Sequence, residues 1–325
     1  LMKNKNIKQY LYILLLAVIF FISYVLTIPT TRYDKITPSD YGTKSIRNYP
    51  IDSLNNLLMG ELSTNPIVML GDGYHGHHAY LDLLINFLRY WVEDVKNHND
   101  GKVPAKLCLV LEQAPEEGKI VNEFIETGNQ ESINQYLMQR YLNFNSYLAT
   151  ADYIEFLYNL RDVFQEARKL KRKGLADFDL VLLSPDVVKS EDAYMKSTLS
   201  FKEFEKKGLV WLSDEKNLSI SKNIIKFQEK HPDYKCLIYY GSSHLLRTKE
   251  DKDIFIDKYL DCSGDYYYLA HHLDAKYGRR NISTFFTQDS ASYTNGIQKL
   301  YPTLLNSDYI VNVKLMPKKT FPIFP

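Results

Sequence analysis

A chain of 325 residues holds one large domain or two modest ones, and 45% hydrophobic residues supply a real core, which excludes wholesale disorder. Forty Lys and Arg against 39 Asp and Glu leave a formal charge of +1 without long runs of either sign, which excludes an electrostatic footprint for nucleic acid. Without a basic groove the 26 tyrosines read as core and surface, not as a base-stacking platform.

Lys3, Lys5 and Lys8 precede a charge-free stretch from Gln9 to Thr31 that contains LYILLLAVIFFISYVLTI. About 20 apolar residues cross a bilayer as a helix, and flanking lysines stay cytoplasmic. Residues 1–31 are therefore expected to be a cytoplasmic tip and a transmembrane signal anchor, with membrane contact through residues 9–31 and everything after Arg32 outside the cytoplasm. A cleaved signal peptide, which would make the chain secreted, is the competing reading; no Ala-x-Ala-like site is clear near Leu26 to Thr30. Polar residues 32–50 read as a linker, and residues 51–325 as a single α/β domain.

Within that domain Pro66 to Leu70 (PIVML) reads as a buried strand, and Leu81, Leu84, Ile85, Leu88, Val92 and Val95 mark an amphipathic helix. LCLVLE, Leu107 to Glu112, is a second strand; residues 118–140 and 151–170 read as helices; LVLLSPD, Leu180 to Asp186, is a third strand. A helix over about Asp214 to Lys230, with Ser213 as N-cap, leads to a fourth strand, KCLIYYG, Lys235 to Gly241. YYYLA near 266–270, STFFTQ near 283–288 and YIVNVK near 309–314 are later strand candidates. Continuous apolar strands separated by helices predict a largely parallel sheet with helices on both faces. Cys108 and Cys236 fall inside such runs and read as small hydrophobes; with Cys262 they show no metal-site spacing.

Ligands of open sheets bind beyond the carboxyl ends of the strands. There this sequence places GDGYHGHH (Gly71 to His78), then Glu112 and Gln113, then Ser184, Pro185 and Asp186, then GSSH (Gly241 to His244) and Arg247. Four of the eight histidines (His75, His77, His78, His244) and the carboxylates Asp72, Glu112 and Asp186 thus gather at strand ends, which points to one shared pocket. GDGYHG also fits G-x-G-x-x-G, but Tyr74 and His75 are bulky, and Glu112 lies far past the ~20 residues at which a ribose-binding acid follows. A dinucleotide site is therefore not expected.

These residues resemble signatures of the erythromycin-esterase-like and ChaN-like superfamily. GDGYHG looks like its G-E-x-x-H-G motif with Asp72 for Glu; LVLE carries the second-strand glutamate as Glu112; LLSPD resembles the strand ending in Gly-x-Asp. KNLSISKNI is similar to the R-D-x-x-M-A-x-N-I helix, with Lys216 and Asn217 for Arg-Asp and Asn223 matching, and YYGSSH looks like the late G-N-x-H motif with His244. The resemblance covers about residues 67–247 and implies a hydrolase in which a histidine activates water to attack an ester or related bond, without a covalent intermediate. The departures at Asp72 and at Lys216-Asn217 weigh against a macrolide substrate.

The residues themselves allow that chemistry. A neutral imidazole near pH 7 takes a proton from water if a carboxylate orients it and a second donor meets the developing oxyanion. His75 is the candidate base, Glu112 or Asp72 its orienting acid, and His244 the partner holding water or the oxyanion. Ser242 and Ser243 lack a G-x-S-x-G elbow and read as loop residues. The same atoms admit a metal reading, with Zn, Mn or Fe on His75, His77, His78, Glu112 and His244, as in the Tiki-type and TraB-type relatives thought to be metal-dependent peptidases. A ChaN-like haem- or ligand-binding protein without catalysis is a third reading, with Tyr74 near the ligand. Substrates are then a small molecule or a peptide. His271, His272, His98 and His231 are read as structural or surface residues.

Overall fold

The computed structural model describes residues 44–46, 51–72, 78–97, 104–142, 151–174, 177–186, 214–245, 247, 268–289 and 308–313, all within the unit Pro38–Pro325. Seven strands are laid out in chain order as β1 (Lys44–Ile46), β2 (Ile67–Asp72), β3 (Lys106–Leu111), β4 (Asp179–Leu183), β5 (Lys235–Gly241), β6 (Ile282–Asp289) and β7 (Tyr309–Val313). Their order across the sheet is β1-β7-β6-β2-β5-β3-β4, and every pairing among the described residues is parallel. The helices are α1 (Ile51–Thr64), α2 (His78–Asn97), α3 (Pro115–Thr127), α4 (Gln130–Leu142), α5 (Ala151–Arg172), α6 (Asp214–Lys230) and α7 (Leu269–Tyr277).

Strand alternation explains why both faces are covered. Val68 and Leu70 of β2, Leu107, Leu109 and Leu111 of β3, and Leu237 and Tyr239 of β5 pack with α1 to α5 in one core. Ile67, Met69, Cys108, Val110, Cys236, Ile238 and Tyr240 face the other way, against Ile220 and Ile224 of α6 and Leu269, Ala270 and Leu273 of α7. The α2 stripe expected from Leu81 to Val95 is buried, and Trp91 within it stacks on Phe178 at 4.8 Å while its indole N–H donates to Pro104 O at 2.8 Å. Such a side chain contributes hydrophobic burial and a satisfied polar tip at once.

Three expectations are corrected. Residues 118–140 are two helices, because Gly128 adopts φ 75° and its N–H closes α3 onto Phe124 O, ending the helix in a left-handed cap. The aromatic run at 266–270 does not end in a strand: Tyr268 precedes α7, and Leu269, Ala270 and Leu273 are spaced to bury one helical face. Residues 44–46, inside the stretch read as linker, form β1 and pair with β7. No helix among the described residues is long and apolar enough to cross a membrane; residues 9–31 and Ser213 lie outside them.

The topology decides where a site falls. The chain passes from β2 to β3 and leaves between them a slot that β5 fills later. Because all run parallel, the carboxyl end of β5 emerges between the ends of β2 and β3, with Asp72 in register with Gly241 and Leu111 with Tyr239. Gly71 makes this junction close: a Cβ there would stand 2.9 Å from Leu245 Cδ2 and 3.0 Å from Ser242 Cα, so any larger residue makes the turn after β5 give way.

Candidate functional site

The turn after β5, the 3-10 segment Ser242–Leu245, carries His244 back over the sheet rim on the α6 face. The residue is 2% exposed, and each ring nitrogen faces a polar neighbour. Nδ1 lies 2.7 Å from Asn217 Oδ1, and Nε2 lies 3.4 Å from Glu112 Oε1. With the amide oxygen as acceptor, Nδ1 is the donor, which leaves Nε2 as the nitrogen that faces Glu112. The other oxygen of Glu112, Oε2, accepts the N–H of Gly241 at 2.9 Å, so the carboxylate ties the end of β3 to the end of β5.

Asn217 reaches His244 because of its place on α6. The buried positions of that helix, Asn217, Ile220, Ser221, Ile224 and Gln228, follow a 3- and 4-residue spacing, and Asn217 heads the stripe at the rim. The residue before it, Lys216, pairs with Asp186 at 3.2 Å, and Asn223 donates to Pro185 O at 3.0 Å, which anchors the helix to the end of β4. Tyr240, the last side chain of β5 on this face, meets the His244 ring edge-on at 5.3 Å and 80°. Burial first, then the carboxylates of Asp186, Glu112 and Glu117, hold its phenol proton well above the usual range.

Alternation separates Asp72 from this group. Asp72 continues the face of Val68 and Leu70, is buried, and has Tyr239 as its neighbour, whose phenol is held far up by burial and then by that carboxylate. Gln113 serves the same face, donating to Tyr153 Oη at 2.6 Å and accepting from Ser184 Oγ at 3.3 Å. His78 opens α2 and stands 3.4 Å from Asp152 Oδ2 at the start of α5. One turn on, Asp82 is raised by burial most of all, with His78 opposing and Glu155 and Asp152 adding to the rise.

The sequence-predicted residues therefore divide. Glu112 and His244 are brought together; Asp72 ends the adjacent strand on the opposite face; His78 stands with Asp152. Tyr74, His75 and His77 lie outside the described residues, as does His98. Among the described residues no group of three or more His, Cys, Asp or Glu side chains is arranged to hold a metal ion. Arg247 is a structural group: buried, it donates to both oxygens of Asp274 at 2.8 and 2.9 Å and to Ile282 O at 3.2 Å, pinning the segment after β5 to α7 and β6. His271 is structural too, its Nδ1 3.0 Å from Arg247 O. Sequence reasoning missed Tyr240, hidden inside the apolar run KCLIYYG, and Asp152; the position of Asn217 at the head of the α6 stripe was a usable signal.

Fold and site together define a parallel α/β protein with a histidine-carboxylate pair at its strand rim. Comparison with protein-family models gives no match, and no curated protein matches the sequence. Among solved structures, one of a mutant of the erythromycin esterase EreC in its open conformation is similar at 10% identity and a TM-score of 0.46, over 74% of this chain and 74% of that one.

Proposed function

We propose that the chain is a hydrolase that cleaves an ester or a related acyl bond with water activated at the His244–Glu112 pair. The observation that supports it is the two-sided hold on His244: Asn217 fixes the tautomer at 2.7 Å, and Glu112 stands 3.4 Å from the nitrogen that would take the proton. In this reaction the water oxygen attacks the carbonyl carbon, and the water proton passes to Nε2. Glu112 stabilises the imidazolium that forms. Collapse breaks the acyl–oxygen bond, and the proton goes from Nε2 to the leaving alkoxide, giving an acid and an alcohol.

His75, expected from the sequence to lie at the same rim, supplies a second imidazole in this proposal, and Asp72 acts at most through the backbone of β2. Residues 9–31 anchor the chain in a membrane with the domain on the extracytoplasmic side. The full chain should then resist alkaline carbonate extraction and dissolve in detergent; release by carbonate alone would remove the anchor from the proposal. The catalytic part is tested with p-nitrophenyl acetate and butyrate on the purified full chain. Hydrolysis lost in His244→Asn and in Glu112→Gln supports it, and parent-level hydrolysis in both folded variants removes it.

A further inference from the structure

We infer that Tyr240 is a catalytic hydrogen-bond donor of this centre, presenting its phenol hydroxyl to the substrate's carbonyl oxygen; the inference rests on the hydrolase proposed above. Tyr240 is 1% exposed, and its hydroxyl has no hydrogen-bond partner. Buried hydroxyls are usually paired, so an unpaired one calls for an explanation, and a catalytic role is one such explanation. Three carboxylates are its charged neighbours, yet each is engaged elsewhere. Glu112 accepts from Gly241 N at 2.9 Å, Asp186 pairs with Lys216 at 3.2 Å, and Glu117 accepts from Ala114 N at 2.9 Å. The hydroxyl is bonded to none of these acids.

Its position gives that donor a use. The ring of Tyr240 packs edge-on against the His244 ring at 5.3 Å, which sets the phenol beside the residue that would activate water. Burial and the surrounding acids keep its proton in place far into the alkaline range, which makes it a lasting neutral donor and neither a phenolate nor a working acid. When water attacks the carbonyl carbon, the carbonyl electron pair moves onto oxygen, and that oxygen strengthens its bond to Tyr240 O–H. Tyr240 keeps its proton throughout; the water proton travels by His244 to the leaving alkoxide.

Tyr240→Phe keeps the ring, and with it the packing on His244, while removing only the hydroxyl. On p-nitrophenyl acetate, with the full chain and rates normalised to the folded fraction, kcat should fall about 10²- to 10³-fold, the usual loss for one oxyanion donor. KM should stay about constant and the unfolding midpoint should not fall, whereas a purely structural role would lower the midpoint and leave kcat alone. Parent-level kcat in Tyr240→Phe, with His244→Asn and Glu112→Gln inactive, overturns the role of Tyr240 alone. Parent-level kcat in all three, or no hydrolysis by the parent chain, overturns the hydrolase proposal and the role of Tyr240 with it.

Discussion

Asn217 Oδ1 and His244 Nδ1 stand 2.7 Å apart, and this buried bond joins the first turn of α6 to the turn after β5. It sets which nitrogen of the ring carries the proton and which faces Glu112. Asn217→Ala leaves a buried N–H without its acceptor, which costs about 1–3 kcal/mol. Urea unfolding should show that loss, and ester hydrolysis should fall further than the loss of folded protein explains. An unchanged midpoint with unchanged turnover would separate Asn217 from the site.

Gly71→Ala tests the close approach at the rim. The added methyl would stand 3.0 Å from the backbone of Ser242, so the turn carrying His244 must move away from β2. Overpacking of this kind costs about 1–3 kcal/mol, and the few tenths of an ångström by which the neighbour must give fall on the segment that carries His244. Turnover should therefore suffer more than stability, as measured by kcat beside the urea midpoint. Normal kcat in a destabilised variant would confine Gly71 to packing.

Arg247 and Asp274 are unequal partners. Arg247 is 2% exposed in its side chain and Asp274 17%, and burial pulls the guanidinium down to about 10 although Asp274 opposes this. Arg247→Met leaves the mostly buried Asp274 without its bonded cation and loses the bond to Ile282 O as well, so unfolding should become easier by about 3–5 kcal/mol. Asp274→Asn keeps an acceptor for Arg247 and should cost less. Equal unfolding midpoints for the two variants would contradict this division.

Alkaline stability follows from two adjacent tyrosines. Burial holds Tyr239 and Tyr240 well above the usual 10.0, with Asp72 acting on the first and Asp186, Glu112 and Glu117 on the second. The folded chain keeps protons that the unfolded chain releases above about pH 10, so stability from this source is complete below that pH and is lost as pH rises above it. The urea midpoint should fall between about pH 9 and about pH 11, and less steeply in Tyr240→Phe. A flat profile over that interval would show that the phenols ionise without unfolding.

The sheet was legible because fully buried parallel strands are written as unbroken apolar runs: IVML, LCLVL and KCLIYY all fall inside β2, β3 and β5. Glu112 and His244 were each legible as residues just past such runs, at one shared rim, but the sequence set Glu112 against His75 and gave His244 the water or the oxyanion. The helix break at Gly128 was not legible, since Val121, Phe124, Ile125 and Ile133 sustain an apolar pattern across it. Asp72 stands at a strand end as Glu112 does, but it differs from Glu112 in period. It continues the Leu70 face while Glu112 continues that of Val110, and the side-chain directions appear only once the strand register is known. Tyr240 reads as one more core aromatic until the carboxylates from three other segments are seen around it.

The central claim is that His244 and Glu112 work as one acid-base unit. Its most direct test is kcat for p-nitrophenyl acetate in the parent, Glu112→Gln, His244→Asn and the double variant, each shown folded by its urea transition. Each single variant should lose at least about a hundredfold, and the double variant little more than either, because residues acting as a unit are not additive. Independent, multiplying losses, or full turnover in folded His244→Asn, would contradict it.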